Sequence, residues 1–148
     1  MTQPYVLDLG DYEICTDPAR IDLDRVEAML RHSYWAAGRP RDQIELALRH
    51  SILFGAYRKV DGVQVGFCRV LTDFVSFGWL ADVIVDDAFR GHGIGKGLMQ
   101  AIVDQPELAR LPLALSTADA HGMYEQFGFT PLPRPGQWML RASESSRL

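Results

Sequence analysis

The sequence has few cysteines, no long apolar run and no concentration of basic residues. Cys15 and Cys68 are the two cysteines among 148 residues, too few for a disulfide framework, and no cysteine or histidine spacing indicates a zinc site. No apolar stretch reaches the ~20 residues of a membrane span. The first ten residues lack the basic and apolar regions of a secretory signal. We therefore expect a cytoplasmic protein with reduced thiols, without a metal and without a membrane anchor.

Basic residues are outnumbered by acidic ones. The chain has 15 lysines and arginines against 19 aspartates and glutamates, which gives a net charge of −4. Proteins that bind nucleic acids usually carry a basic patch. This sequence shows none, so a nucleic-acid partner is not expected. The length predicts a single domain over residues 1–148, with a frayed polar tail from about residue 143.

Hydrophobic periodicity predicts a mixed α/β chain. A strand and two helices come first, then three antiparallel strands, the first two joined by a turn at Asp61-Gly62. A loop and a helix follow, then a buried strand, a short helix and two last strands. The predicted strands are 12–14 (with a possible extension back to residue 5), 52–59, 63–67, 77–85, 111–115, 129–132 and 137–141. Four helices are predicted: from residues 22–24 to residues 34–35, from about 40 to 48, from about 94 to 105 and from about 120 to 127.

A glycine-rich loop between a strand and a helix is the most informative segment. It reads Arg90-Gly91-His92-Gly93-Ile94-Gly95-Lys96 and follows Val83-Ile84-Val85. Glycine lets a ligand approach the main chain, and the first N–H groups of a helix carry partial positive charge without internal partners. The loop therefore predicts a phosphate or pyrophosphate site. Lys96 and Gly97 depart from the dinucleotide and P-loop patterns, which need glycine and a hydroxyl there.

The loop does fit the pattern [RQ]xxGx[GA], and it resembles the GNAT superfamily of acyl-CoA-dependent N-acyltransferases. A second segment, Ala120-His121-Gly122-Met123-Tyr124-Glu125-Gln126-Phe127-Gly128-Phe129, resembles the family's AxxxYxxxGF helix. Both segments occur in the family's order, and the resemblance covers nearly the whole chain. It implies a GNAT-like α/β fold: a mixed, mostly antiparallel central sheet flanked by helices, with splayed strands forming an acyl-CoA cleft.

The resemblance also implies the co-substrate, acetyl-CoA, and its contacts. The glycine loop would bind the pyrophosphate, and the preceding strand would pair with the pantetheine arm. Thr117 stands where the family often has asparagine; its hydroxyl would bond main chain or pantetheine, or else Thr117 or Asp119 would cap the following helix. The implied coenzyme contacts are Val83, Ile84, Val85, Arg90, Gly91, His92, Gly93, Ile94, Gly95, Lys96, Thr117 and Tyr124.

The reaction implied by the resemblance is direct attack of an amine on the thioester carbonyl. Alkyl amines are mostly protonated at neutral pH, so a base is useful, and the tetrahedral oxygen needs a donor, here the N–H of Val83 or Val85. The leaving thiolate needs a proton, which the resemblance assigns to Tyr124. Judged from its apolar helix face alone, Tyr124 fits a core tyrosine equally well.

Asp82 is the candidate general base, since the family often has an acidic residue on this strand. It lies within the hydrophobic strand Trp79-Leu80-Ala81-Asp82-Val83, where a carboxylate is costly unless it is paired or near water. Partial burial predicts a raised pKa, which suits a base. The alternative is a carboxylate that anchors a neighbouring loop or a substrate-side arginine.

The acceptor site is implied between the loop that joins the first two helices and the central strands. The candidate residues there are Tyr34, Trp35, Arg69 and Phe77, with Arg39 and Arg41 nearby. Aromatic rings and arginines suit a small molecule that carries an amine and a carboxylate. The alternative is that Trp35 and Phe77 belong to the core and that Arg39 and Arg41 lie on the surface.

The expected activity is acetyl transfer from acetyl-CoA to a primary amine of a small molecule. Two alternatives stay open: a protein acetyltransferase acting on a lysine or an N-terminus, and an inactive acyl-CoA-binding sensor domain. An open groove across Trp35 and Phe74 would favour a protein acceptor, and a closed pocket a metabolite. Dimers are common in the family, so a homodimer is compatible with the resemblance.

Overall fold

Six strands form one sheet whose spatial order follows the chain. The computed structural model describes residues 3–144. Neighbouring strands pair antiparallel, except that β5 and β6 are parallel. The strands are β1 (Val6–Leu9), β2 (Tyr12–Cys15), β3 (Ile52–Arg58), β4 (Gln64–Thr72), β5 (Gly78–Val85) and β6 (Leu113–Ala114). The mixed, mostly antiparallel sheet predicted from the sequence is confirmed.

Helices cover both faces of the sheet. They are α1 (Leu23–Arg31), α2 (Arg41–Arg49), α3 (Ile94–Val103), α4 (Pro106–Ala109) and α5 (His121–Glu125). Adjacent strand residues point to opposite faces, so Phe67 packs with α1 and α2 while Cys68 packs with α3 and α4. None of the helices within residues 3–144 has the length and apolarity to cross a membrane.

Three elements differ in extent from the prediction. The first strand is a hairpin, because Gly10 adopts φ +80° and turns the chain between β1 and β2. Helix α1 ends at Arg31 rather than near residues 34–35, and the chain turns through residues 32–38 instead. Strand β6 has two residues rather than the predicted five.

The two last predicted strands are wrong. Residues 129–132 and 137–141 pair with no strand among the described residues, and Pro135–Gln137 form a single 3₁₀ turn. Prolines 131, 133 and 135 lack the N–H that a sheet ladder requires. Met139 is 98% exposed as a result. Most of the predicted polar tail, residues 145–148, lies outside the described part of the chain.

A buried hydroxyl without a partner marks a suboptimal position in the core. Tyr57 is 1% exposed, and within residues 3–144 no hydrogen bond reaches its hydroxyl. The Tyr57 ring lies over Gly55, and a β-carbon on Gly55 would come within 2.2 Å of the Tyr57 hydroxyl oxygen. The guanidinium of Arg20 lies 4.1 Å from the centroid of the same ring. The hydroxyl therefore loses its hydration on folding and gains no bond in return.

We expect Tyr57→Phe to raise the free energy of unfolding by about 1 kcal/mol, because it removes an unsatisfied buried polar group. Urea denaturation of both proteins measures the change. The control is Tyr5→Phe, which removes a hydroxyl that donates to Asp104 Oδ2 at 2.6 Å and should not stabilise the protein. A clear loss of stability in Tyr57→Phe would show that the hydroxyl does have a partner.

Candidate active site

Strands β5 and β6 separate soon after they meet. They pair through Gly78–Leu113 and Trp79–Ala114, and beyond these pairs the edge of β5 has no neighbouring strand among the described residues. The N–H of Asp86 bonds Val65 O at 2.9 Å, toward β4. Because main-chain groups alternate along a strand, the N–H and C=O of Val85 point to the open edge. The splayed strands predicted from the resemblance are thus present.

The glycine loop has the geometry of an anion site. Gly91 and Gly93 adopt φ +85° and +77°, and Gly93 is the N-cap of α3. The N–H of Gly97 begins the helical bonding, to Gly93 O at 2.9 Å. Within residues 3–144, the N–H groups of residues 94–96 have no acceptor, so they remain available to an anion.

The charged side chains of the loop lie at the surface. Arg90 pairs with Asp87 at 2.9 Å while both side chains stay largely exposed. Lys96 is exposed at the start of α3, and the exposed His92 lies with its ring centroid 5.3 Å from that of Tyr12. Arg90 and Lys96 add positive charge beside the free N–H groups without forming a buried pair.

Asp82 lies at a bulge in β5. The register with β4 shifts between Phe67–Ile84 and Arg69–Ala81, which leaves Asp82 and Val83 opposite Cys68. Asp82 has φ +54°, a left-handed conformation that is unfavourable for a residue with a side chain. Such strain persists where surrounding contacts hold it in place.

Three donors hold the Asp82 carboxylate. Its Oδ1 accepts from Trp35 Nε1 at 2.8 Å, and its Oδ2 accepts from Arg39 Nη1 at 2.8 Å and from Arg69 Nε at 2.7 Å. Asp82 itself is 7% exposed. The carboxylate therefore joins the loop between α1 and α2 to strand β4 and to the bulge.

The pKa of Asp82 shifts in the direction opposite to the prediction. Burial by itself would raise this pKa, but the charge of Arg69, the hydrogen bond that each arginine donates and the charge of Arg39 outweigh burial and hold the pKa below its usual range. The expectation of a raised pKa is wrong because it lacked these two guanidinium groups. A carboxylate engaged in this way is a weak proton acceptor, so the geometry favours the anchoring alternative.

A cavity of about 910 Å³ opens where β5 and β6 separate. The phenol oxygen of Tyr34 accepts a hydrogen bond from the Ala118 N–H at 3.2 Å, which connects the two loops on either side. Of the predicted site residues, those that line the cavity are Tyr34, Trp35, Arg69, Asp82, Val83, Thr117 and Tyr124. The lining excludes Ile84, Val85 and the glycine loop, which continue along the open edge toward α3.

Phe77 departs from its expected place, and the Thr117 hydroxyl bonds main chain, one of the alternatives expected for it. Phe77 does not line this cavity, and its ring lies 6.1 Å from that of Trp138, so a direct acceptor contact is not supported. Thr117 Oγ1 accepts from the Ala120 N–H at 3.1 Å. Helix α5 begins after Ala120 with no side-chain cap, so the expectation that Thr117 or Asp119 would be its N-cap is wrong.

The Tyr124 hydroxyl is available as a proton donor. Tyr124 is 8% exposed and lines the cavity, and no hydrogen bond within residues 3–144 engages its hydroxyl. Burial, reinforced by electrostatic effects of Cys68, Tyr34 and Asp119, raises the pKa of Tyr124 to about 12. The phenol therefore keeps its proton at neutral pH.

Sequence reasoning underestimated two cavity residues. Arg39 was as compatible with the surface as with the site, yet it pairs with Asp82 across 43 positions of the chain. Asp119 was considered as a helix cap, yet it lines the cavity without a hydrogen bond or ion pair to any described residue. The signal for Arg39 was Asp82 itself, because a carboxylate in an apolar strand requires a cationic partner.

The remaining nucleophiles and potential ligands do not form a second centre. No group of three or more histidines, cysteines, aspartates and glutamates suited to a metal ion occurs within residues 3–144. Cys15 and Cys68 are free and buried. Burial raises the pKa of the Cys68 thiol well above its usual range, which disfavours the reactive thiolate.

Two sequence comparisons with known proteins point to one family. The family model "Acetyltransferase (GNAT) domain" matches residues 49–131, more than half of the chain. The protein named "Putative acetyltransferase FG08082" from Gibberella zeae is 36% identical over 143 residues, covering 82% of this chain and 80% of its own.

Solved structures extend the similarity to the fold. A structure from Xanthomonas campestris, described as "a putative acetyltransferase belonging to the gnat family", is 36% identical with a TM-score of 0.86, covering 93% of this chain and 97% of its own. A Deinococcus radiodurans structure described as an acetyltransferase shares the fold at 23% identity and a TM-score of 0.66, covering 95% and 93% of the two chains.

We expect Asp82→Asn to lower the free energy of unfolding at neutral pH by about 3 kcal/mol, because it leaves two guanidinium groups without their anion. For a chain of this length the melting temperature should fall by roughly 10 °C. The control is Asp24→Asn, whose exposed pair with Arg41 should contribute under ~1 kcal/mol.

The same pair of proteins tests the pKa of Asp82. A carboxylate whose pKa is lower in the folded state than in the unfolded state stabilises the folded protein when the pH is above the unfolded-state pKa, about 3.9. This stabilisation is lost as the pH falls through the folded-state pKa. The difference between wild type and Asp82→Asn should therefore be constant from pH 7 to about 5 and shrink below about pH 4. A difference that already shrinks near neutral pH would contradict the lowered pKa.

Proposed function

Since the chain belongs to the GNAT acetyltransferase family, we propose that it transfers the acetyl group of acetyl-CoA to a primary amine of a small molecule. The observation that carries this proposal is the cavity between the splayed strands, with Tyr124 in its wall and Tyr34 joined to Ala118 across it. A volume of about 910 Å³ suits a small acceptor together with the reactive end of the coenzyme.

The coenzyme would follow the open edge of β5 to the start of α3. The free N–H groups of residues 94–96 support pyrophosphate binding, and Arg90 and Lys96 supply nearby positive charge. The outward main chain of Val85 supports pairing with the pantetheine arm. The carbonyl of the thioester would then lie in the cavity beside Val83 and Tyr124.

The chemistry would proceed by direct attack. The amine nitrogen forms a bond to the thioester carbon, and the carbonyl oxygen takes the electron pair, stabilised by a main-chain N–H of the β5 edge, at Val83 or Val85. The intermediate then breaks its C–S bond, and the sulfur takes a proton from the Tyr124 hydroxyl. The amine gives up one proton, which restores Tyr124 through solvent, so no net charge remains on the protein.

Asp82 takes a positioning role in this proposal. Its carboxylate accepts from Trp35, Arg39 and Arg69, which fixes the loop that carries Tyr34 and Trp35 against β5. It thereby holds the bulge next to the position proposed for the thioester. The weak basicity that its low pKa implies argues against a role as the general base.

The two alternatives are distinguished by the cavity and by turnover. A protein acceptor needs an open groove at Trp35, whereas Tyr34 and Ala118 are bonded to each other there, and Phe74 does not line the cavity. A sensor domain would bind acetyl-CoA without needing a proton donor at the sulfur. The free, protonated hydroxyl of Tyr124 favours an enzyme over a sensor.

Location and assembly complete the proposal. Two free, buried cysteines suit the reducing cytoplasm. A net charge of −4 argues against a nucleic-acid partner. The exposed side chains of Trp138, Met139 and Leu140 favour a homodimer, since a second copy would bury apolar surface there.

We expect acetyl-CoA at 100 times its Kd to raise the melting temperature by roughly 5–10 °C, from about 2.7 kcal/mol of binding energy, with ATP and NAD ineffective. Gly93→Asp should abolish the rise, because it puts a carboxylate beside the proposed pyrophosphate. Gly62→Asp is the matched control: Gly62 has φ +74°, is equally open, and lies in the β3–β4 turn. A rise that persists in Gly93→Asp would contradict the loop assignment.

We expect Tyr124→Phe to lower kcat by roughly 10–100-fold with the affinity for acetyl-CoA nearly unchanged, because the ring stays and only the proton donor is lost. Thiol release measures kcat, and the thermal shift measures affinity. Tyr5→Phe, which removes a hydroxyl at the opposite end of the chain, is the control. Wild-type turnover in Tyr124→Phe would move the proton donor to another group.

A further inference from the structure

Two guanidinium groups in the cavity wall share a single carboxylate. Arg39 and Arg69 both bond Asp82 Oδ2, which leaves one positive charge in excess. The side chain of Arg69 is 11% exposed and that of Arg39 is 24% exposed, so water screens this excess only in part. An uncompensated charge of this kind is unfavourable unless an anion joins it.

Both arginines also keep donors free toward the cavity. Arg39 uses Nη1 for Asp82, and its Nε and Nη2 have no acceptor within residues 3–144. Arg69 uses Nε for Asp82 and Nη1 for Ser51 Oγ, at 3.0 Å, and its Nη2 has none among the described residues. Guanidinium groups match the planar geometry of carboxylates, so these free donors suit a carboxylate on the acceptor.

The opposite charge lies on the other side of the cavity. Asp119 belongs to the segment between β6 and α5 that lines the cavity, and it makes no hydrogen bond or ion pair with another described residue. Tyr124 lines the same cavity, and the charge of Asp119 contributes to the raised pKa of its phenol. Asp119 is exposed to solvent, and a carboxylate with free oxygens in the same cavity wall as the proposed proton donor suits an ammonium group.

Building on the proposed acetyl transfer, we propose that the acceptor is an amino-acid-like molecule that carries both a primary amine and a carboxylate. Its carboxylate binds the free N–H groups of Arg39 and Arg69, and its ammonium group binds Asp119 beside Tyr124. Asp119 then accepts one proton from the ammonium, which frees the nitrogen lone pair for attack on the thioester, and releases this proton to solvent. Asp82, whose two oxygens are already engaged, keeps the arginines in place.

The test compares matched acceptors by thiol release from acetyl-CoA. The panel consists of amino acids, their carboxamides and the amines that lack the carboxyl group, with glycine, β-alanine and γ-aminobutyrate varying the separation of the two charges. We expect kcat/KM to be roughly 10–100-fold higher for a free acid than for its carboxamide, the range of a charged hydrogen bond. Equal values for acid and carboxamide across the panel would overturn the proposal.

Variants assign the two ends of the acceptor. Arg39→Gln should raise KM for the acid and leave the carboxamide nearly unchanged, so that the preference shrinks. Arg39→Lys keeps a charge for Asp82 but loses the planar fork, and should fold even if Arg39→Gln does not. Arg41→Gln is the control, since Arg41 pairs with Asp24 outside the cavity. A preference retained in both Arg39 variants would contradict the assignment of Arg39.

Asp119→Asn should lower kcat/KM for acids and carboxamides alike, because both carry the amine, with Asp24→Asn as the control. An unchanged rate would contradict the role of Asp119.

Thermal shift with acetyl-CoA separates the proposed acetyl transfer from the proposed class of acceptor. Stabilisation and turnover without a preference for acids overturn the acceptor class alone. Stabilisation without turnover of any amine, or no stabilisation at all, overturns the acetyl transfer and the acceptor class together.

Discussion

The shape of the cavity depends on how one carboxylate is held. Asp82 lies in a left-handed conformation in the middle of a strand, and its side chain accepts from Trp35, Arg39 and Arg69. The strained backbone and the buried charge are each unfavourable by themselves. They are stable together because the bulge aims the carboxylate at donors from both the α1–α2 loop and β4. Loss of the charge would free the loop and leave the arginines without an anion.

The splayed strands depend on the same region. Parallel pairing of β5 with β6 stops after Trp79, and the bulge follows three residues later. A regular β5 paired along its whole length would close the edge to which Val85 now points its main chain. The open edge leaves main-chain groups without partners among residues 3–144, and so does the start of α3. At the open edge and at the start of α3, a ligand with amide and phosphate groups would supply the missing hydrogen-bond partners of the main chain.

Periodicity and turn residues predicted the central part of the fold from local information. The strands β3 to β5, the Asp61-Gly62 turn and the helix after the glycine loop follow from alternation, φ requirements and helix spacing. The C-terminal strands were mispredicted because residues 137–141, with the apolar run Trp138, Met139 and Leu140, resemble a strand, while the three prolines before them prevent regular pairing. Periodicity reports which side chains are apolar, and it does not report which edge is available to pair.

The site was predictable to the extent that its parts are contiguous. The glycine loop and the Tyr124 helix are local patterns, so their elements were found at the expected positions. The direction of the pKa shift of Asp82 could not be predicted in this way. Arg39 and Arg69 set that direction, and they lie 43 and 13 positions away in the chain. Once those two charges are present, Asp82 cannot also be a good base, and Asp119 is left as the cavity carboxylate with free oxygens. In our proposal, the carboxylate that organises the cavity and the one that takes a proton are therefore different residues.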